Sequence, residues 1–499
     1  MPLTTPLVVP GRPSSTGLTW WILTDGGPPS LELLPATPAA DIVVHDLRRA
    51  SDPLGSAGAY VVATRGLQPD TRYNLRVRQP DHRGQQAFSR TLPDLSAGGP
   101  FTFTIAVGSC YSSHTDRREI GRSYPPPMHE PTRADPDPIR LRFLIGDQLY
   151  MDLEPFGEFV NPRPRPPEPF ARYLFEWSHP KYAPFLSRSP TLTLGDDHEF
   201  WNDYPNGFPQ PQISWAWTAG GASGDLARRL RRAFRLFQAP LNLDPADIVN
   251  DAATIDALLD RPALSPRVDV EPLSFFCLDS RLSRQVWSKD RPTHAIDPAS
   301  LAECRAWLQG ADGPAVLVLA PVFADPPKGL PMVLFDKNLS NYTADYRELA
   351  ALVFEALSHR HVIVLGGDIH VSRACRIERQ PPTPFTLHEV VASPLSLIRS
   401  PPDIEDILPT PSRPDEGEIK LQHLGATRRV LDGDPGAGQR RVASTIAQQS
   451  FTTISFRCNG TWPAAPIEAA VRAWAPPLDL RTFAPALLYQ TTLMLRSTP

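Results

Sequence analysis

The chain has 499 residues, which is too long for one ordinary hydrophobic core and indicates two or more domains. Hydrophobic residues make up 41% and charged residues 21%, a globular composition that excludes a disordered chain. The formal net charge is only -4, and lysine and arginine form no long block, so a nucleic-acid partner is not indicated.

The sequence also bears on location and redox state. No apolar stretch is long enough to span a bilayer, and no charged leader precedes an apolar segment at the start. We therefore expect a cytoplasmic protein without a membrane partner. The five cysteines are odd in number and widely spaced, which argues against a disulfide framework. The oligomeric state is not determined by the sequence.

The first hundred residues have the spacing of β-strands. From residue 16 to about 92, short runs of Val, Ile, Trp and Leu alternate with turn signals such as Asp25-Gly26-Gly27-Pro28. The run from Leu67 to Val77, in which Tyr73 opens a late strand, resembles the corner of a fibronectin type III sandwich. We predict a small all-β domain over residues 1–97, followed by a linker around Gly98-Gly99.

The remaining region, residues 101–499, has an α/β pattern. Short, near-continuous apolar runs suit strands that are covered on both faces; they lie at 101–107, 141–145, 191–194, 275–278, 315–320 and 361–365. Apolar residues at helical spacing lie between them, at 225–238, 299–308 and 345–358. Strands alternating with helices predict a layered α/β fold, and short strands after residue 443 complete a second sheet.

Four of the apolar runs are followed at once by a glycine and a polar cluster. The clusters are Gly108-Ser109-Cys110-Tyr111, Gly146-Asp147-Gln148-Leu149-Tyr150, Gly195-Asp196-Asp197-His198-Glu199 and Gly366-Gly367-Asp368-Ile369-His370. Ligands of open α/β sheets bind at the carboxyl ends of strands, and glycine allows the backbone to turn sharply there. We therefore expect the four clusters to converge on one rim.

The chemistry of these clusters predicts a metal site, because thiolate, carboxylate, phenolate and imidazole are all metal ligands. The number of acids indicates two cations, and a carboxylate such as Asp147 can bridge them. Two cations about 3.5–4 Å apart bind phosphate, generate hydroxide and stabilise an in-line displacement. Cys110 and Tyr150 favour iron, as Fe3+, whereas the all-oxygen side suits calcium (Ca2+), Mg2+ or Mn2+.

Together with Asp279-Ser280-Arg281 and the β-rich leader, these clusters resemble the alkaline phosphatase D (PhoD-like) family of metallophosphoesterases. That family is more distantly related to the purple acid phosphatases. The resemblance extends over nearly the whole chain. It implies a calcineurin-like β-sandwich flanked by helices, preceded by the fibronectin type III-like domain. It also implies hydrolysis of a small-molecule phosphate ester, monoester or diester, by metal-bound hydroxide.

The resemblance further implies two sets of metal ligands that share one residue. The iron-like site would be held by Cys110, Asp147, Tyr150 and His370, and the second site by Asp147, Asp197 and Asp368.

Two other residues receive catalytic roles from the resemblance. His198 is the candidate general acid for the leaving oxygen. Arg281 would contact the substrate anion or brace Asp279, and both alternatives stay open. Between Asp336 and Arg347 the sequence departs from the family, which has Trp where this chain has Asn338.

Other interpretations of the same residues stay open. The chain is alternatively a non-catalytic metal-binding or sensing protein on a metallophosphoesterase scaffold. A serine hydrolase using Ser109 and His370 would lack the expected Gly-x-Ser-x-Gly turn. Cys110 alone would be an inert core residue. The arginine-rich segment 228–235 is interpreted as a solvated helix face with Leu230 and Phe234 inward.

Overall fold

The structure of the protein is a computed structural model. It describes residues 5–49, 57–79, 82–116, 119–120, 139–152, 168–206, 224–310, 313–329, 337–379, 385–396, 418–431, 449–475 and 486–496. None of the helices within these ranges has both the length and the apolar character needed to cross a bilayer.

The first seven strands form two antiparallel sheets of their own. The strands are β1 (Leu7–Pro13), β2 (Gly17–Asp25), β3 (Ser30–Leu34), β4 (Asp41–Asp46), β5 (Ala57–Arg65), β6 (Arg72–Gln79) and β7 (His82–Arg90). They pair in the orders β1-β2-β5-β4 and β3-β6-β7.

The two sheets pack on a shared core. Tyr73, Leu75 and Val77 of β6 alternate with more exposed residues and pack with Trp20 and other buried residues of the four-stranded sheet. The hydroxyl of Tyr73 accepts a hydrogen bond from the backbone N–H of Gln68, 3.0 Å away. The boundary at residue 97 and the fibronectin type III comparison stay predictions.

Fourteen strands of the described chain follow in two larger sheets. They are β8 (Phe101–Gly108), β9 (Ile139–Ile145), β10 (Thr191–Leu194), β11 (Arg267–Val270), β12 (Leu273–Cys277), β13 (Ala315–Val318), β14 (Val362–Gly366), β15 (Arg373–Arg379), β16 (Phe385–Val391), β17 (Glu418–Leu421), β18 (Ala426–Val430), β19 (Phe451–Cys458), β20 (Ile467–Ala475) and β21 (Ala486–Leu495). The sheet orders are β10-β9-β8-β19-β20-β21 and β11-β12-β13-β14-β16-β15-β18-β17.

Parallel pairing sets the direction of the strands that precede the polar clusters. β8, β9 and β10 are parallel neighbours in the six-stranded sheet, and β12, β13, β14 and β16 are parallel neighbours in the eight-stranded sheet. The strands predicted after residue 443 join β8 in the six-stranded sheet through the antiparallel β8–β19 pair. The carboxyl ends of β8, β9 and β10 therefore lie at one edge.

The two larger sheets face each other across a hydrophobic core. The ring of Phe275 on β12 lies 5.9 Å from that of Phe103, 5.7 Å from that of Phe143 and 6.1 Å from that of Phe456, all on the six-stranded sheet. Strands such as β10 and β14 are buried along their whole length. The prediction of apolar runs covered on both faces is confirmed.

Helices cover the outer faces of the sheets. They are α1 (Pro169–Trp177), α2 (Ala183–Leu186), α3 (Asp225–Phe237), α4 (Ala252–Leu259), α5 (Pro298–Gly310) and α6 (Thr343–Ala356), with 3-10 turns at Ala239–Asn242, Leu339–Asn341 and Gln422–Leu424. The buried faces of α5 and α6 pack with the eight-stranded sheet. Those of α1 and α3 pack with the six-stranded sheet and with β2, where Trp21 Nε1 donates to the carbonyl of Leu236. The mixed α/β class is confirmed, whereas the calcineurin-like assignment stays a prediction.

Candidate metal centre

The four polar clusters meet at one rim, and backbone hydrogen bonds join their loops. The N–H of Cys110 donates to the carbonyl of Gly146 at 3.3 Å, and the N–H of Tyr111 donates to that of Asp147 at 2.7 Å. The N–H of Asp368 donates to Ser109 Oγ at 3.3 Å. The loops after β8, β9 and β14 therefore form one continuous surface, although β14 belongs to the other sheet.

The backbone of this rim is unusual. Seven non-glycine residues in the described ranges have a positive φ, and four of them are predicted metal ligands: Cys110 (60°), Asp147 (54°), Asp368 (70°) and His370 (53°). This region of backbone space is unfavourable for residues other than glycine and persists only where surrounding contacts hold it. The loops are thus held in conformations that aim these four side chains.

Two glycines allow the loops to approach each other. Gly146 has a φ of 91°, and a Cβ at this position would lie 2.5 Å from Asp196 Cβ. A Cβ at Gly367 would lie 2.6 Å from Ser109 Oγ. Real Cβ contacts are longer than this, so a larger residue at either position would push apart the loops that carry the clusters.

The residues predicted for the iron-like site lie together. Cys110 Sγ is 3.4 Å from Asp147 Oδ2 and 3.6 Å from the carbonyl oxygen of Asp368. The hydroxyl of Tyr150 is 3.1 Å from His370 Nε2, and Tyr150 also makes a side-chain hydrogen bond with Cys110. The four side chains are thus linked in one cluster, in which Cys110, Asp147 and Tyr150 are buried and His370 is half-buried; their role as ligands stays a prediction.

The residues predicted for the second site also converge, and His198 and Asp196 join them. Ligand atoms of Asp147, Asp197 and His198 lie within 4.8 Å of one another, and so do those of Asp196, Asp197 and Asp368. Asp197 therefore belongs to both groups. The sequence assigns the bridge to Asp147, which contacts Cys110 as well as this group, and that assignment stays a prediction.

Two buried carboxylate oxygens of the third polar cluster are suited to bind a cation. Asp196 Oδ2 and Asp197 Oδ1 are buried and have no hydrogen-bond donor among the described residues. An unsatisfied buried oxygen is costly, and a bound cation would satisfy it. The sulfur, carboxylate, phenol and imidazole donors of the rim therefore fit metal ions.

Burial also disfavours charge at the centre. It raises the pKa of the Cys110 thiol to about 12 and raises the pKa of Asp147 and Tyr150 well above their ordinary values, with neighbouring acids adding to the shift. Burial lowers the pKa of His370 to about 4, which favours the neutral imidazole that binds metals. A cation would favour the ionised thiol and carboxylate, because it supplies the opposite charge.

His198 is oriented by a carboxylate that the sequence interpretation missed. Its Nδ1 is 2.8 Å from Asp152 Oδ1, and the other oxygen of Asp152 accepts from the N–H of Asn202. Burial lowers the pKa of His198, but the charges of Asp152 and Asp197 outweigh this and raise it to about 10. The only sequence signal for Asp152 is its position two residues after Tyr150.

Glu199, which the sequence analysis places in the third cluster without a role of its own, holds two loops together. One of its oxygens accepts from the N–H groups of Asp147 (3.0 Å) and Asp196 (2.8 Å). The other accepts from the N–H of Gln148 at 2.7 Å and from Gln238 Nε2 at 3.0 Å. A fully buried carboxylate therefore connects the loops after β9 and β10 with α3.

Arg281 lies at the centre, where its guanidinium bonds with Asp196 and Tyr204. Its Nε donates to Asp196 Oδ1 at 2.5 Å, and its NH1 donates to the carbonyl of Tyr204. Asp279 instead accepts from the backbone N–H of Arg281. Only 1% of Arg281 is exposed, so its contacts are with the protein, and a contact with substrate stays a prediction.

Asn338, where the sequence departs from the family, lies within the described residues, and one further residue contacts Cys110. Asn338 donates to the carbonyl of Pro326 and caps the turn Leu339–Asn341, whereas Asp336 lies outside the described residues. Ser393, which no sequence pattern indicated, donates to Cys110 Sγ at 3.1 Å.

The serine-hydrolase arrangement is not assembled at the rim. Ser109 is buried and donates to the carbonyl of Ala392, and His370 Nε2 bonds with Tyr150. No hydrogen bond joins Ser109 and His370 in the described chain.

Comparison with known proteins bears on the fold. No protein-family model matches the sequence, and no curated protein matches it. The fold is similar to that of the solved structure of PhoD, with a TM-score of 0.62 and 16% sequence identity over 99% of this chain and 90% of the PhoD chain. The chain therefore has a PhoD-like fold, and the resemblance predicted from the motifs is confirmed at that level.

Proposed function

We propose that this protein is a metal-dependent phosphoesterase. The observation that carries the proposal is the convergence of Cys110, Asp147, Tyr150, Asp197 and the Asp368–His370 pair, from separate strand ends, on one buried rim of a PhoD-like fold. Neither the fold nor a single cluster suffices, because folds host many functions. The set of donor atoms, and the buried oxygens of Asp196 and Asp197 that have no hydrogen-bond donor among the described residues, support cation binding.

The residues at the rim divide by chemistry. Cys110, Asp147, Tyr150 and His370 would hold an iron-like ion, and Asp147, Asp197 and Asp368 would hold a second cation such as calcium, magnesium or manganese. Bound cations would polarise the phosphoryl group, activate water and neutralise charge in the transition state.

His198 supports the reaction as a proton donor held by Asp152. The bond between Nδ1 and Asp152 fixes the ring, whose centroid lies 4.2 Å from that of Tyr150. A ring nitrogen of His198 lies among the carboxylates of Asp147 and Asp197, where a phosphate ester would bind. There the imidazole would donate a proton to the leaving oxygen.

The remaining parts of the chain support this arrangement. We propose that residues 101–499 form the catalytic domain, a calcineurin-like sandwich. We also propose that residues 1–97 form a fibronectin type III-like domain, which the bond between Tyr73 and Gln68 supports.

The test combines elemental analysis with two chromogenic substrates, p-nitrophenyl phosphate for monoesters and bis(p-nitrophenyl) phosphate for diesters. The wild type is expected to contain metal and to hydrolyse at least one of them. Asp147→Asn is expected to lose metal and at least 100-fold in rate, as roughly expected when a metal-ligand set is broken. The exposed Asp290→Asn is the matched control.

The outcomes separate the alternatives. Bound metal without turnover of either ester would favour the metal-binding or sensing protein. Turnover that survives both metal removal and Asp147→Asn would overturn the phosphoesterase proposal.

A further inference from the structure

Six arginines surround one concave pocket that lies away from the metal ligands. The pocket has a volume of about 300 Å³, and its arginines are Arg49, Arg228, Arg231, Arg232, Arg235 and Arg261. We call it the arginine pocket. Four of these residues come from α3 at spacings of three and four, so they lie on one helix face. The segment interpreted from sequence as a solvated face thus borders a cavity.

The positive charge of the arginine pocket exceeds its negative charge. Asp260 is the one acid among the described residues that line it. Asp260 and the neighbouring Asp256 both pair with Arg49 and with Arg235, so these two acids are already shared by two arginines.

Two arginines of the pocket lack a carboxylate partner within the described chain. The only hydrogen bond of the Arg231 side chain there runs from Nε to the hydroxyl of Tyr204, at 2.9 Å, and its terminal nitrogens are not used. The exposed Arg261 side chain makes no hydrogen bond or ion pair in that part of the chain. Guanidinium groups present paired donors that match phosphate oxygens.

Apolar side chains form the rest of the lining. Phe234, Leu259, Leu264 and Leu282 face the same space as the arginines. A volume of about 300 Å³ is in the range of small-molecule sites. A ligand that satisfies both surfaces has an anionic head and an apolar body.

The arginine pocket adjoins the metal centre but is lined by none of the predicted metal ligands. Phe234 lines the pocket and also packs under the third polar cluster, since a Cβ at Gly195 would lie 2.9 Å from its ring. Leu282 lines the pocket, whereas its neighbour Arg281 pairs with Asp196. Phe234 and the Arg281–Leu282 pair therefore border both sites.

We propose that the arginine pocket is a second, metal-independent anion site that binds an organic phosphate with an apolar or aromatic body. Arg231 and Arg261 hold the phosphate oxygens, and Phe234 with the surrounding leucines holds the body. This site does not depend on whether the metal centre is catalytic.

The test uses phenylphosphonate and methylphosphonate, which share the anionic head and have no ester bond to hydrolyse. Calorimetric titration of the full chain is expected to show phenylphosphonate binding about 10-fold more tightly, because its ring is buried. Arg231→Gln and Arg261→Gln are each expected to weaken it roughly 10-fold, as for loss of a charged hydrogen bond. Arg291→Gln, an exposed arginine outside the pocket, is the control.

Two arms separate this site from the metal centre and from misfolding. Binding is expected to persist after chelation, which removes any phosphonate affinity of the metal centre. Arg231→Lys and Arg261→Lys keep the charge and are expected to bind with intermediate affinity. The variant that combines Arg231→Gln with Arg261→Gln should bind phenylphosphonate more weakly than the Arg291→Gln control. If the two bind it equally, or if chelation abolishes all binding, the proposal is overturned.

Discussion

Replacement of Gly146 by alanine tests whether the turn after β9 builds the metal centre. Gly146 has a φ of 91°, which an alanine adopts only at a cost of about 1–3 kcal/mol. The new Cβ would also lie 2.5 Å from Asp196 Cβ, far closer than carbon atoms prefer, and such overpacking costs about 1–3 kcal/mol. Alanine recovers about 0.4–1 kcal/mol by restricting the unfolded chain. We therefore expect a net destabilisation of about 3 kcal/mol.

The same substitution is expected to weaken metal binding. Asp196 must move away from the new methyl group, and it shares one cluster with Asp197 and Asp368 while it pairs with Arg281. We expect cation affinity to fall at least about 10-fold, as when groups around a metal site are disturbed.

The assay is urea unfolding of Gly146→Ala and Gly310→Ala, each with metal and with chelator, beside a metal titration. Gly310 ends α5, and a methyl group added to it would meet no heavy atom within 4 Å. Its substitution is therefore the matched control and should change stability by less than about 1 kcal/mol. The chelated samples isolate the packing cost from lost metal stabilisation. If Gly146→Ala unfolds like the control and keeps its metal, the reasoning about this turn is wrong.

Three further predictions address the acid, the pH dependence and the metal. His198→Gln should slow hydrolysis of phenyl phosphate by about 100-fold or more but that of p-nitrophenyl phosphate by less than about 10-fold, since nitrophenolate leaves without a proton. Equal losses in the steady-state rates of the two substrates would contradict the role of His198 as a general acid. Burial raises the pKa of Asp116 to about 6, above its value in the unfolded chain, so the free energy of unfolding should fall by about 3 kcal/mol as pH rises from about 4 to 6. The Asp116→Asn variant should lack that fall. If its free energy of unfolding has the same pH dependence as that of the wild type, the raised pKa does not belong to Asp116. Chelation should lower the thermal midpoint and abolish turnover reversibly, whereas a midpoint insensitive to chelator would argue against a bound cation.

The sequence was sufficient to predict the strands that precede the polar clusters. Runs such as Thr191–Leu194 and Val362–Gly366 are apolar throughout because both faces are covered, and the structure buries every residue in them. The polar cluster that follows such a run therefore begins where the strand ends. The convergence of the first three clusters therefore follows from parallel pairing, which the alternation of strands and helices predicts, whereas the fourth follows β14 of the facing sheet.

The partners of the buried charges could not be predicted in this way. The guanidinium of Arg281 pairs with Asp196 across 85 positions of sequence, whereas the nearby Asp279 accepts from its backbone N–H. Asp152 and Glu199 stand beside predicted ligands, but their hydrogen bonds depend on how two loops meet in space. Local spacing identifies which residues reach the rim, whereas tertiary packing decides which of them bind a cation and which orient the others.

The contacts around Asp147 show how the protein itself positions a predicted ligand at the rim. Its backbone has a φ of 54°, which surrounding bonds must hold. The N–H of Asp147 donates to Glu199, its carbonyl accepts from the N–H of Tyr111, and its side chain accepts from the N–H of His198. Three bonds from two neighbouring loops thus hold one predicted ligand. Because protein groups supply these bonds, loss of a supporting residue such as Glu199 should lower cation affinity in a metal titration without removing a ligand.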